Sequence, residues 1–216
     1  MKLEEQLAAV RADFARNTPA DRAAVYEAKL DEIRASFVSE RAVGVGHKAP
    51  GFDLPGIDGR RLMLDDILRQ GSVVLTFYRG GWCPYCNIQL RAYQAILPQI
   101  TALGGRLVAV SPQLPDGSLS TAEKNSLTFD VLSDVGNEVA RRYGLVFTLP
   151  AELRDAMRAS NKALPAINGD DSWELPVLAT FVVVRDGRVA FASLDIDHRA
   201  RPEPEAVLEG LRAAQL

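Results

Sequence analysis

Cys83 and Cys86 are the only cysteines in a chain of 216 residues, and they stand two residues apart in Trp82-Cys83-Pro84-Tyr85-Cys86. That spacing brings two sulfurs within reach across one helical turn, so a disulfide can close and open locally. The chemistry to expect is reversible thiol–disulfide exchange. Two plainer readings use the same residues. One is a tetrahedral zinc site, which needs four ligands; beyond the cysteines the chain offers only His47 and His198, far off in sequence and in no ligand-spaced pair. The other is a pair of chemically idle thiols. The surrounding sequence favours the redox reading.

Before the pair, Val73-Val74-Leu75-Thr76-Phe77-Tyr78 is apolar without alternation, as in a strand buried on both faces of a parallel sheet. After it, Cys86, Leu90, Tyr93, Leu97 and Ile100 recur at helical spacing, and Gly104-Gly105 supplies the stop. The cysteines therefore belong where a strand turns into a helix. The first helical turn offers free backbone N–H groups and the positive end of the dipole, which favour a thiolate. An ordinary thiol pKa of about 8.5 can fall by several units there. Pro84 suits the first helical position, and Gly80 and Gly81 allow the tight turn before it.

Length and composition set the frame. The chain suits one ordinary domain plus an extension and can bury a full core unaided. Lys and Arg number 25 and Asp and Glu 28, so a net charge of −3 gives no basic footprint for nucleic acid. No apolar stretch approaches the roughly 18 residues that span a bilayer, and no secretory signal stands at the start. Two cysteines in such a chain fit a reducing cytoplasm, where a disulfide is catalytic and transient.

Residues 1–42 read as an N-terminal helical extension of two amphipathic helices. Leu3, Leu7, Val10 and Phe14 form one stripe; Tyr26, Leu30, Ile33 and Phe37 form the other. Thr18 is the expected cap of the second helix, with Pro19 at its first position. Packing on the chain's own core is the first expectation for these stripes. A homodimer contact or a cover over the active site are the alternatives. After Val43-Gly44-Val45-Gly46, a short hairpin is expected to turn at Asp58-Gly59. Strands follow at 106–111 and 128–132, and helices at 118–126 and 137–143; Pro98 should kink the cysteine helix. The β-α-β-α-β order implies parallel strands with right-handed crossovers. Next come a helix at 151–160, a hairpin at Asp186-Gly187, and a last helix over about 203–214.

From residue 43 onward the chain resembles the thioredoxin-fold superfamily. It looks most like the peroxiredoxin-like branch of the alkyl hydroperoxide reductase / thiol-specific antioxidant family. The likeness rests on Val45-Gly46-His47-Lys48-Ala49-Pro50-Gly51-Phe52-Asp53-Leu54, the Phe77-Tyr78 strand end, Val110-Ser111-Pro112-Gln113 and Phe181 to Gly187. It implies an α/β thioredoxin fold over residues 43–216: a central mixed sheet flanked by helices, closing on an antiparallel hairpin. Two departures concern the active site. The family's Pro-x-x-x-Thr-x-x-Cys pattern puts Arg79 at the proline, Cys83 at the threonine and Cys86 at the attacking cysteine. The arginine that the family carries before the penultimate strand has no counterpart in Leu175-Pro176-Val177-Leu178-Ala179-Thr180. Trp82-Cys83-Pro84-Tyr85-Cys86 itself resembles thioredoxin and glutaredoxin sites, whose first cysteine attacks and whose cis-proline faces the pair; Pro176 is a candidate for that proline, although Leu178 holds its expected position.

The two likenesses thus disagree on the attacking sulfur. Position favours Cys83, which is expected to be the more accessible and the more thiolate-like, with Cys86 more buried on the apolar stripe. Attack on a small hydroperoxide, needing only a narrow pocket, leaves Cys86 open. Arg79 either steadies the thiolate or is a solvated loop residue. Trp82 and Tyr85 are expected to shape a surface that receives a partner, and His198 to lie on a surface loop without a role. The functions implied are a thiol-dependent peroxidase, reduced by a thioredoxin- or glutaredoxin-type donor, or a general oxidoreductase acting on disulfide substrates. A non-catalytic binding protein of the same fold is a third. No organic cofactor or metal is implied.

Overall fold

A computed structural model describes residues 2–214. Two helices lead, α1 (Leu3–Asn17) and α2 (Ala20–Ser36). A hairpin of β1 (Asp53–Pro55) and β2 (Arg61–Met63) turns at Asp58-Gly59 as expected, and α3 (Leu64–Gln70) follows. The sheet proper begins with β3 (Ser72–Phe77), then α4 (Pro84–Ala102), β4 (Gly105–Ser111), α5 (Pro115–Asn125), β5 (Asp130–Ser133) and α6 (Glu138–Arg142). After β6 (Val146–Thr148), α7 (Ala151–Ala159), α8 (Leu164–Asn168) and β7 (Glu174–Pro176), the hairpin of β8 (Leu178–Val183) and β9 (Val189–Asp195) completes it, and α9 (Pro204–Ala213) closes the chain.

The central sheet has the order β5-β4-β3-β8-β9. β3, β4 and β5 run parallel, while β8 is antiparallel to β3 and to β9. This is the mixed α/β sheet that the thioredoxin-fold likeness implies. Alternate side chains of β3 enter opposite layers, as strand geometry requires. Val74 and Tyr78 face the layer of α4 and α9, with Cys83, Cys86, Leu90 and Leu211, whereas Val73, Leu75 and Phe77 face Leu64, Ile67 and Tyr143.

The stripes of the first two helices are covered within the chain. Leu3 and Leu7 are buried in the α4 layer, and α1 packs along α4. Ile33 of α2 joins a third cluster with Leu149, Leu153, Trp173 and Leu175, against which Tyr26 and Trp82 pack. Core packing, the first expectation, is what is seen, and it also lays α2 over the cysteine turn. Two local expectations change. Thr18 gives α2 no side-chain cap, and Pro19 holds the cap position with Ala20 first in the helix. α4 carries Pro98 in its interior and runs on to Ala102. Pro176 pairs with Val146 in the small β6–β7 sheet, and no described peptide bond is cis. None of the described residues supplies a thioredoxin-type cis-proline, and Leu178 stands in β8 instead.

Candidate active site

Cys83 is the cap residue at the start of α4, Pro84 is the first helical residue, and Cys86 lies in the first turn. The placement read from the sequence is therefore observed. Gly80 adopts φ +141, where a side chain is strained, and a Cβ on Gly81 would collide with Thr121 Oγ1. These two glycines let the turn lie flat on α5. The amide of Asn87 then donates to the Gly81 carbonyl (2.8 Å), tying the turn to α4.

Both sulfurs are free thiols, and both cysteines are 0 % exposed. The expected accessibility of Cys83 is thus corrected, because α2, Trp82 and the segment 196–203 roof the helix start. The expected thiolate character has physical support. Burial alone would push the Cys83 thiol up. The hydrogen bond from Cys86 and the charges of Arg79 and Arg201 outweigh it and hold Cys83 well below the ordinary thiol range. Cys86 moves the other way. Burial, its role as donor to Cys83 and the charge beside it push Cys86 well above that range. The two shifts run in opposite directions, so Cys83 is the sulfur that ionises first.

Arg79 is no solvated loop residue. It is 8 % exposed, and its Nη2 donates to Cys83 Sγ at 3.2 Å. Its guanidinium lies 5.0 Å from the Trp82 ring centre. Arg79 Nε and Trp82 Nε1 are buried donors with no acceptor among the described residues. A second arginine approaches from the far side: Arg201 Nη2 lies 3.6 Å from Cys86 Sγ. Nothing in the sequence singles it out. Its neighbour Pro202 and its place before α9 say nothing of a contact across 115 positions.

His198 is the clearest correction. It is 6 % exposed, its Nε2 shares a 2.8 Å hydrogen bond with the Tyr26 hydroxyl of α2, and its ring lies edge-on to both Tyr26 and Tyr85. Burial, then the charges of Arg79, Arg201 and Arg199, hold it well below the usual imidazole range, so it is neutral. Tyr85 is buried rather than displayed to a partner, Trp82 is half-buried, and Pro84 is the exposed member of the motif. A cavity of ≈ 360 Å³ reaches this cluster, lined by Tyr26, Leu30, Arg79, Trp82, Leu153 and His198 among others. It is of the size and apolar character of a small-molecule site.

Among the described residues no three His, Cys, Asp or Glu side chains gather as metal ligands; His47 accepts from the Gly44 amide on the exposed surface instead. Nor is any described helix long and apolar enough to cross a membrane.

Known proteins resemble this chain in sequence and in fold. The model of the AhpC/TSA family matches residues 45–192. A Mycobacterium tuberculosis (strain H37Rv) protein carrying a peroxiredoxin name is 28% identical over 151 residues, 70% of this chain and 85% of that one. The thiol-disulfide oxidoreductase ResA of Geobacillus thermodenitrificans is 33% identical over 115 residues, 52% of this chain and 65% of that one. Among solved structures, peroxidoxin BcpB from Mycobacterium tuberculosis superposes with a TM-score of 0.62 at 22% identity, covering 79% of this chain and 97% of that one. Enterococcus faecalis AhpC does so with 0.63 at 17% identity, covering 80% and 93%. These two structural matches speak for the fold. Tyr26, His198 and Arg201 all lie outside the family-matched segment.

Proposed function

The chain belongs to the AhpC/TSA family, and from that premise we propose that it is a thiol-dependent peroxidase working through Cys83 and Cys86. One observation carries the assignment of roles: the Arg79 guanidinium stands 3.2 Å from the Cys83 sulfur. The Cys83 thiolate attacks the terminal oxygen of a hydroperoxide. An S–O bond forms, the O–O bond breaks, and the departing alkoxide takes up a proton as alcohol. Cys83 is left as a sulfenic acid. Cys86 then attacks that sulfur, the S–S bond forms, and the Cys83 hydroxyl leaves with the Cys86 proton as water. An external dithiol of thioredoxin or glutaredoxin type returns both cysteines to the reduced state.

The remaining motif residues have supporting roles in this scheme. Arg79 Nε and Trp82 Nε1 are donors left over for peroxide oxygens, Pro84 starts the helix, and Tyr85 backs His198. The name carried by the Mycobacterium tuberculosis relative supports the peroxidase reading. Residues 43–216 form the catalytic domain in this reading and 1–42 its helical extension, and a reducing compartment such as the cytoplasm suits the resting dithiol.

A second reading, a general thiol–disulfide oxidoreductase, draws on the likeness to ResA and on the Trp-Cys-Pro-Tyr-Cys motif. Steady-state consumption of hydrogen peroxide or an alkyl hydroperoxide, coupled to a thioredoxin system, separates the two. Turnover that Cys83→Ser abolishes, with a trappable sulfenic acid in Cys86→Ser, is expected. Absence of peroxide turnover with disulfide reduction intact would hand the assignment to the second reading.

A further inference from the structure

Arg201 is gripped on several sides. Its Nε donates to Gln89 Oε1 (2.7 Å), and its Nη1 donates to the carbonyls of His198 (2.5 Å) and Ala200 (2.6 Å). Its Nη2 faces Cys86 Sγ at 3.6 Å. None of the oxygen partners is anionic. Among the described residues no carboxylate pairs with Arg201 or with Arg79, whereas Arg199, two positions earlier, is paired with Glu27 and Asp197. A partly buried guanidinium held only by neutral dipoles is costly unless an anion stands nearby. Two such cations flank two sulfurs, of which one is ionised at rest. The site therefore carries one positive charge more than the resting thiolate uses.

We propose that this surplus serves the second chemical step: once Cys83 has become a sulfenic acid, Arg201 stabilises Cys86 as the thiolate that closes the disulfide. The proposal rests on the reading above, with Cys83 attacking and Cys86 resolving. Before oxidation, ionising Cys86 would set two negative sulfurs side by side, which like-charge repulsion opposes. Oxidation gives the Cys83 electron pair to the peroxide oxygen and leaves a neutral S–OH. The repulsion disappears while both arginines remain. The charged and titratable groups that bear on Cys86 are Cys83, Arg201, Arg79 and the Tyr78 hydroxyl at the end of β3. Tyr78 is pushed up to about 12 by burial and stays neutral. Arg79 outranks Arg201 in its effect on Cys83, and Arg201 outranks Arg79 on Cys86. Each sulfur thus has its own arginine. The step balances without an outside oxidant: Cys86 S⁻ attacks the Cys83 sulfur, the S–O bond breaks, and hydroxide leaves as water with the proton Cys86 released.

Gln89→Glu offers a test that leaves the loop in place. A carboxylate oxygen replaces the amide oxygen that already accepts from Arg201 Nε, and Arg201's charge is neutralised. Arg201→Met removes the charge, and Arg201→Lys keeps it. Reduced full-length protein is mixed with hydrogen peroxide in stopped flow, giving a first phase proportional to peroxide and a second independent of it. Gln89→Glu and Arg201→Met are expected to slow the second phase about tenfold or more, the equivalent of one pKa unit of thiolate, with a smaller effect on the first. The pH midpoint of the second phase moves up, sulfenic acid accumulates, and sulfinic acid rises at excess peroxide. Arg201→Lys restores most of the rate. Wild-type kinetics in Gln89→Glu, an unmoved midpoint, or a larger effect on the first phase would overturn the proposal. If the wild type shows no first phase, the peroxidase reading fails on its own. Release of methanethiol from a methyl disulfide placed on Cys83 then reads the Cys86 attack in the same variants, with the same expectations and the same overturning results.

Discussion

Arg79 and Cys83 are four residues apart in sequence and 3.2 Å apart in space, guanidinium to sulfur, with no carboxylate among the described residues competing for the cation. The contact spans the turn between β3 and α4, so the same backbone bend that starts the helix presents the arginine. Loss of that charge should raise the Cys83 pKa toward its ordinary value. In Arg79→Gln, the thiolate absorbance at 240 nm should titrate at least one unit higher, and alkylation at neutral pH should slow roughly tenfold or more per unit. An unchanged titration would mean that the Cys86 hydrogen bond and the charge of Arg201 hold the thiolate without Arg79.

His198 makes stability depend on pH. Its folded pKa is depressed below the unfolded value of about 6.5. The unfolded chain therefore binds a proton that the native one refuses. Its contribution is complete above about pH 6.5 and is lost as pH falls toward the folded value, by up to about 1.4 kcal/mol per pH unit. Urea unfolding at pH 7.5 and 5.5 should show this loss in the wild type and a smaller one in His198→Gln, which keeps a partner for Tyr26. Equal losses in both proteins would place the acid sensitivity elsewhere.

Leu7 is 0 % exposed and packs α1 into the layer that holds the cysteines. Leu7→Ala should cost about 2–5 kcal/mol by denaturant unfolding, as for other buried leucines. A cost near zero would show that α1 is not part of the folded core in solution.

Gly81 lies against Thr121 with no room for a methyl group. Gly81→Ala should destabilise by about 1–3 kcal/mol through overpacking and lower peroxide turnover by shifting the cysteine turn. Gly81→Ala combined with Thr121→Gly should recover much of both, which turnover and thermal unfolding of the double variant would check.

The parts of the site that can be read from the sequence are those that local pattern encodes. The apolar run to Tyr78, the Gly80-Gly81 turn, Pro84 at the helix start and the 4-3-4-3 stripe from Cys86 each follow from backbone periodicity or φ preference over a few residues. Cys83's thiolate character draws on Cys86 and Arg79, both close by in sequence, and on Arg201, which is not. What stays hidden depends on distant chain segments meeting. Arg201 and His198 sit in a segment without periodicity, and neither residue type announces burial. Their environment is set by Gln89 and Cys86 of α4 and by Tyr26 of α2, which no local spacing links to them. Tyr26 reads as part of an apolar stripe, but a stripe does not say which surface it will cover. Cys83's burial is hidden for the same reason, since a position beside a loop implies exposure until α2 comes down over it.

The roof over the two sulfurs is assembled from opposite ends of the polypeptide, Tyr26 near the start and His198 with Arg201 after the last strand. The Arg79 side of the field around the sulfurs comes with the turn between β3 and α4, whereas the Arg201 side exists only once the segment beyond β9 has docked on α4. Detaching that segment would leave Cys83 its arginine and take away the one beside Cys86.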